Sequence, residues 1–208
     1  MKILGIDLAG KPENPTGISV LNVNLKTLRS DIRFNLLHKD EEILKETERL
    51  NPDLIVVDAP LSLPRGRCCL SKDCSCSRVG GHFREAEAEI RKYGNVLPLT
   101  FRGMRMLTER AIGLSNKLKR KYKVIEVHPR TVQKILGFDD LYFALNRYFK
   151  LPCEVTDHEL DAALAALTGF FYLKGCYMEL GDPAEGTIIL PRKGCLRRVT
   201  DGLHVKQI

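Results

Sequence analysis

The chain opens with Lys-Ile-Leu-Gly-Ile-Asp, an apolar run that ends in an acid, which predicts a buried strand over residues 2–7. Residues 9–16 hold Gly10, Pro12, Asn14 and Pro15 and predict a turn. β-type runs over 17–23 and 28–37 then complete an antiparallel meander. Residues 40–51 place Ile43, Leu44 and Leu50 among charges, the pattern of an amphipathic helix capped at Asp40 and stopped by Pro52. Leu54-Ile55-Val56-Val57 is apolar throughout and ends in Asp58, as expected of a central parallel strand buried on both faces.

Residues 59–81 break the pattern. They combine Pro60, Pro64, Gly66, Gly80 and Gly81 with four cysteines and predict a long loop. Helices are expected over 83–93 and 102–121, a short strand over 123–127 carrying Glu126, and helices over 129–136 and 139–149. The longest helical signal runs from 156 to 174, where an acidic first turn leads into Ala-Ala-Leu-Ala-Ala-Leu and Gly175 ends it. Residues 177–180 and 187–190 flank Gly181-Asp182-Pro183 and predict a closing hairpin. Three antiparallel strands, a crossover helix and two parallel strands make a mixed five-stranded sheet of the α/β class, flanked by helices.

With 208 residues, the chain is expected to form a single domain over 1–208, with a Cys-rich loop inserted at about 62–82. No apolar run reaches the ~20 residues needed to cross a bilayer. The acid at position 7 interrupts any export signal, so a cytoplasmic protein without membrane association is expected. The net charge of +7 favours approach to a polyanion, and it also serves solubility alone.

The chemistry lies in acids at strand ends. Asp7, Asp58 and Glu126 close the first, fourth and fifth strands, and neighbouring parallel strands would bring them to one edge of the sheet. Asp157 and Asp161 are four apart on one helix face, and the small residues behind them allow that face to approach the strands. Carboxylates gathered in this way must share protons or bind metal. Hard oxygen ligands suit Mg²⁺ or Mn²⁺, and metal-activated attack of water on a phosphodiester follows. Competing roles exist for each acid: Asp7 as a turn cap, Asp157 as a dipole-complementing helix start, and Glu126 as an ion-pair partner of Arg130 or His128.

Cys68, Cys69, Cys74 and Cys76 leave three states open: a zinc site, one or two local disulfides, or free thiols. Pairs that are adjacent or one residue apart depart from the usual Cys-x₂₋₄-Cys chelating turns. The count of seven cysteines offers no obvious disulfide framework. Among the basic residues that follow, Arg67 and Arg84 are the first choices for phosphate contact in nucleic-acid binding, although solvated helix faces explain most such charges. His158, beside the helical acids, could act as a general base or orient water.

Five ordered motifs carry a family resemblance: Gly5-Ile6-Asp7-Leu8-Ala9, Thr16-Gly17-Ile18, Val57-Asp58-Ala59-Pro60-Leu61, Ile125-Glu126-Val127-His128-Pro129 and Asp157-His158-Glu159-Leu160-Asp161-Ala162. Together with the closing Gly186-Thr187-Ile188-Ile189-Leu190-Pro191, they resemble an uncharacterised family of predicted RNase H-like nucleases over nearly the whole chain. A more distant similarity is to RuvC-type Holliday-junction resolvases, which carry acids on the first strand, the fourth strand and the last helix. Asp7, Asp58 and Asp161 match those places, and Asp157 or His158 stands at the remaining helical position. The resemblance implies an RNase H-like fold, two-metal hydrolysis of DNA or RNA, and the homodimer common among resolvase-like folds. The chain departs from the RNase H pattern of a Glu in the first crossover helix: Glu41, Glu42, Glu46 and Glu48 are available there, but none has a distinguishing context.

The expected function is therefore a divalent-metal-dependent nuclease. A non-catalytic basic nucleic-acid-binding module on the same scaffold is the main rival, separated from it by the effect of Asp7→Asn on turnover. A nucleotide-binding ATPase relative fits less well, because Ala9-Gly10-Lys11-Pro12 is a poor phosphate loop and no second copy of the domain is present.

Overall fold

The computed structural model describes residues 1–27 and 29–196. Strands β1 (Lys2–Asp7), β2 (Thr16–Val23) and β3 (Ser30–Leu37) form the antiparallel meander, and α1 (Asp40–Leu50) crosses to β4 (Leu54–Asp58). The order continues with α2 (Glu85–Ile90), α3 (Arg102–Leu118), β5 (Val124–Val127), α4 (Pro129–Leu136), α5 (Leu141–Asn146) and α6 (Asp157–Leu173). Strands β6 (Tyr177–Leu180) and β7 (Ile188–Pro191) close the chain. Helix α1 is capped by Lys39 rather than Asp40, with the Glu42 carboxylate accepting from the Lys39 amide at 3.0 Å.

All the strands join one seven-stranded sheet in the order β3-β2-β1-β4-β5-β7-β6. The sheet is thus larger than the expected five. The closing hairpin does not stand apart, because β7 pairs in parallel with β5 through Glu126↔Ile188 and Val127↔Ile189. Its run Ile188–Pro191 is buried at every position, as a strand inside a sheet requires.

Side chains alternate between two cores. Ile3, Leu54, Val56, Ile125 and Val127 face the layer built around α6, while Leu4, Ile6, Ile55 and Val57 face the layer of α1 and α3. Helix α6 is buried nearly all round, since α4 and α5 cover the side away from the sheet. It lies unusually close to the strands. A Cβ added at Gly5 would clash with the Ala162 carbonyl, and one at Gly17 with the His158 carbonyl. Two strand glycines thus admit the helix backbone itself and set where its acidic first turn comes to rest.

Candidate functional site

Strand β1 pairs in parallel with β4, and Asp7 and Asp58 are direct cross-strand partners at the same end of the sheet. Residues in register point to the same face, which here is the face of α6. A capping box fixes the start of that helix: Thr156 accepts from the Glu159 amide at 3.3 Å, and the Glu159 carboxylate accepts from the Thr156 amide at 2.9 Å. The first two turns then carry His158 and Asp161 to the strand ends. The His158 ring nitrogen Nδ1 lies 2.7 Å from Asp7 Oδ2.

The three aspartates feel one another strongly. Asp58 is pushed well above the usual carboxylate range by burial first, and then by the charges of Asp7, Asp161 and Glu126. Burial and Asp7 push Asp161 up to about 6. Asp7 is also raised by burial, against the opposing pull of the His158 hydrogen bond. Exposed Arg130 lowers all three, so its positive charge faces the cluster. These residues line a cleft of about 330 Å³ with Glu87, His128, Met104 and Leu107. Burial, and then Arg130, lowers the pKa of His128, which favours a neutral imidazole there.

Glu126 lines the same cleft but does not share the aspartates' face. It is in register with Val57 rather than Asp58, so strand alternation turns it to the opposite side from Ile125 and Val127. Its carboxylate accepts from Arg84 Nη2 at 2.5 Å, Arg84 Nη1 at 2.9 Å and the Leu61 amide at 2.8 Å. The Arg130 or His128 pairing read from the sequence is therefore replaced by one with Arg84. Arg84 also bonds Glu87 and Ser62. Burial alone would lower its pKa, but Glu126 and Glu87 outweigh burial and hold the guanidinium charged.

Arg67 and Arg84, the expected phosphate contacts, lie inside the protein. The Arg84 side chain has 0% exposure, and Arg67 is buried with its Nε donating to the Gly81 carbonyl at 2.6 Å. Both guanidiniums spend their donors inside the protein. Asp157 is exposed in the first turn of α6 and acts on the cluster by raising Asp161. No first-crossover glutamate joins the centre: Glu42 caps α1 and Glu46 pairs with Arg49 at 2.6 Å. Arg130 is the residue that sequence reasoning missed as part of the site. Its signal was its place three residues beyond the end of β5, the same kind of strand-end position as the acids.

The cysteine loop leaves β4 directly. Sγ of Cys68 lies 3.7 Å from that of Cys74, and Sγ of Cys69 lies 3.8 Å from that of Cys76. Away from this loop, Cys176 and Cys195 form a disulfide, a pairing that the cysteine spacing did not predict.

No protein-family model matches the sequence, and no curated protein matches it. Solved structures do. RuvC of T. thermophilus in complex with a Holliday junction substrate aligns over 84% of this chain and 96% of its own, with a TM-score of 0.51 at 14% identity. The fold is that of RuvC. Fowlpox virus resolvase, solved with substrate Holliday junction DNA, aligns over 83% of this chain and 99% of its own, with a TM-score of 0.39 and 13% identity. The RuvC-like scaffold carries the expected three antiparallel and two parallel strands, extended on one side by β7 and β6. Among the described residues, no helix is long and apolar enough to cross a membrane.

Proposed function

We propose that this protein is a divalent-metal-dependent nuclease in which Asp7, Asp58 and Asp161 hold the metal. The observation that carries the reading is the position of Asp58. It is half-buried at a strand end, with two further aspartates close enough to raise its pKa and Arg130 as the cation facing all three. Such a cluster is costly without a counter-charge. Its donors are all carboxylate oxygens, the set that Mg²⁺ and Mn²⁺ prefer. When bound, the metal supplies polarisation of the phosphodiester and an activated water nucleophile.

The protein's own groups do the rest. His158 holds Asp7 through Nδ1, and its half-exposed ring gives protons a route to solvent. Arg130 supplies the positive charge that a backbone phosphate would meet at the mouth of the cleft. Glu126 and Arg84 act from beneath: their ion pair, with Ser62 and the Leu61 amide, fixes the segment that leaves Asp58. The net charge of +7 favours approach of DNA or RNA around this acidic centre. Branched DNA is the first substrate to test, because the RuvC structure holds a Holliday junction.

The test is a panel of labelled branched, duplex and single-stranded DNA and RNA, incubated with Mg²⁺ or Mn²⁺ and with either wild type or Asp58→Asn. Cleavage of at least one substrate by wild type alone, with binding retained by the variant, is expected. Equal cleavage by both proteins would assign the activity elsewhere. Binding without cleavage by either would leave a nucleic-acid-binding module on a nuclease scaffold.

A further inference from the structure

The loop between β4 and α2 holds a second constellation with a different chemistry. The Sγ atoms of Cys68, Cys69, Cys74 and Cys76 all lie within 4.8 Å of one another. A tetrahedral zinc ion with Zn–S bonds of about 2.3 Å sets its sulfurs about 3.8 Å apart. The Cys68–Cys74 and Cys69–Cys76 separations of 3.7 and 3.8 Å already have that value. The remaining pairs need to close by no more than about an ångström. We infer that these four cysteines form a tetrathiolate zinc site that holds folded the loop leaving β4 after Asp58.

The spacing that looked unfavourable in sequence is resolved by how the chain turns. Neither close pair is made of sequence neighbours; each joins one cysteine from the first half of the loop to one from the second. A 3₁₀ turn over Ser75–Arg78 swings Cys76 back, with the Ser77 amide donating to the Cys74 carbonyl at 2.9 Å and the Gly80 amide to the Cys76 carbonyl at 2.9 Å. Arg67 ties the two ends of the loop by donating to the Gly81 and Ser71 carbonyls.

Little else holds this segment together. Between Pro64 and Gly81, Leu70 and Cys76 are the buried apolar side chains, too few for a core. Metal binding supplies folding free energy in such cases, with the thiol protons released to solvent as the sulfurs coordinate. Four thiolates on one Zn²⁺ leave two negative charges, and exposed Lys72 and Arg78 supply positive charge on the same loop. Soft sulfur selects zinc over Mg²⁺ or Mn²⁺, so this site is chemically separate from the aspartate centre. Cys68–Cys76 are unbonded thiols in the same chain that joins Cys176 to Cys195 as a disulfide.

The experiment is zinc analysis by mass spectrometry of the full chain, purified under reducing conditions with zinc supplied, together with the absorption spectrum of the cobalt-substituted protein. One zinc per chain is expected, with the visible bands and thiolate-to-cobalt charge transfer of a tetrahedral sulfur site. Zinc should persist in Asp7→Asn and in Cys153→Ser, and be lost in the double variant Cys69→Ser/Cys76→Ser. Chelation should expose Arg67, Lys72 and Arg78 to rapid tryptic cleavage. Wild type without zinc, whether its four thiols titrate freely or have paired as two disulfides, overturns the proposal. If the double variant does not fold, the wild-type cobalt spectrum decides: bands lacking thiolate charge transfer overturn it as well.

Discussion

Asp161 shows how a single residue's surroundings translate into measurable behaviour. Its pKa of about 6 lies above the ordinary aspartate value, so between about pH 4 and 6 the folded chain binds a proton that the unfolded chain has released. The associated stability is present below that window and lost as pH rises through it. Without Mg²⁺ or Mn²⁺, Asp161→Asn should therefore stabilise the protein at pH 7.5, by roughly 1–2 kcal/mol once solvent screening is allowed for. Urea denaturation measures this, and a destabilised variant would contradict it. Added Mn²⁺ should reverse the order by stabilising only the wild type. Asp7, Asp58 and Asp161 were legible because each is an acid where an apolar run ends or a small-residue helix begins. Arg67 and Arg84 were not, because a charge in a sequence carries no sign of whether it will be solvated. Arg84 is paired from both sides by Glu87 and Glu126, whose positions in sequence do not announce their meeting. Arg84→Met, which strands both buried carboxylates, should cost about 3–5 kcal/mol, measured in the same denaturation assay. A loss below 1 kcal/mol would show that the buried pair is not holding the segment.

At the scale of elements, the approach of α6 to the sheet decides whether a site exists. Gly5 and Gly17 leave no room for a side chain beneath the Ala162 and His158 carbonyls. Gly17→Ala should push the first turn of α6 away from β2, lowering stability by about 1–3 kcal/mol and weakening Mn²⁺ binding out of proportion to that loss. Comparing its denaturation midpoint with its Mn²⁺ affinity tests this; unchanged affinity would mean that the helix start is positioned by something else. The succession of strands and most helices could be read from hydrophobic period, and β1 and α4 even to their ends. The role of the closing hairpin could not. Four buried residues at 188–191 look the same whether they pair with β6 alone or with β5 as well. Only the sheet's free edge at β5, a non-local property, draws β7 in. The face to which Glu126 points was likewise hidden, because it depends on the one-residue offset that pairs Glu126 with Val57 instead of Asp58.

For the whole molecule, a positively charged chain of RuvC fold surrounds an acidic edge where β1, β4 and α6 converge. On the proposed function, nucleic-acid binding is expected to be sensitive to salt, and Arg130→Ala to weaken it while flattening its salt dependence. The central claim is that Asp7, Asp58 and Asp161 form a metal centre, and calorimetric titration of Mn²⁺ into wild type and Asp7→Asn addresses it most directly. The account predicts saturable binding by the wild type that is lost in the variant, while the variant still binds nucleic acid. Equal Mn²⁺ binding by the two proteins, or none by wild type at millimolar Mn²⁺ with nucleic acid present, would contradict it.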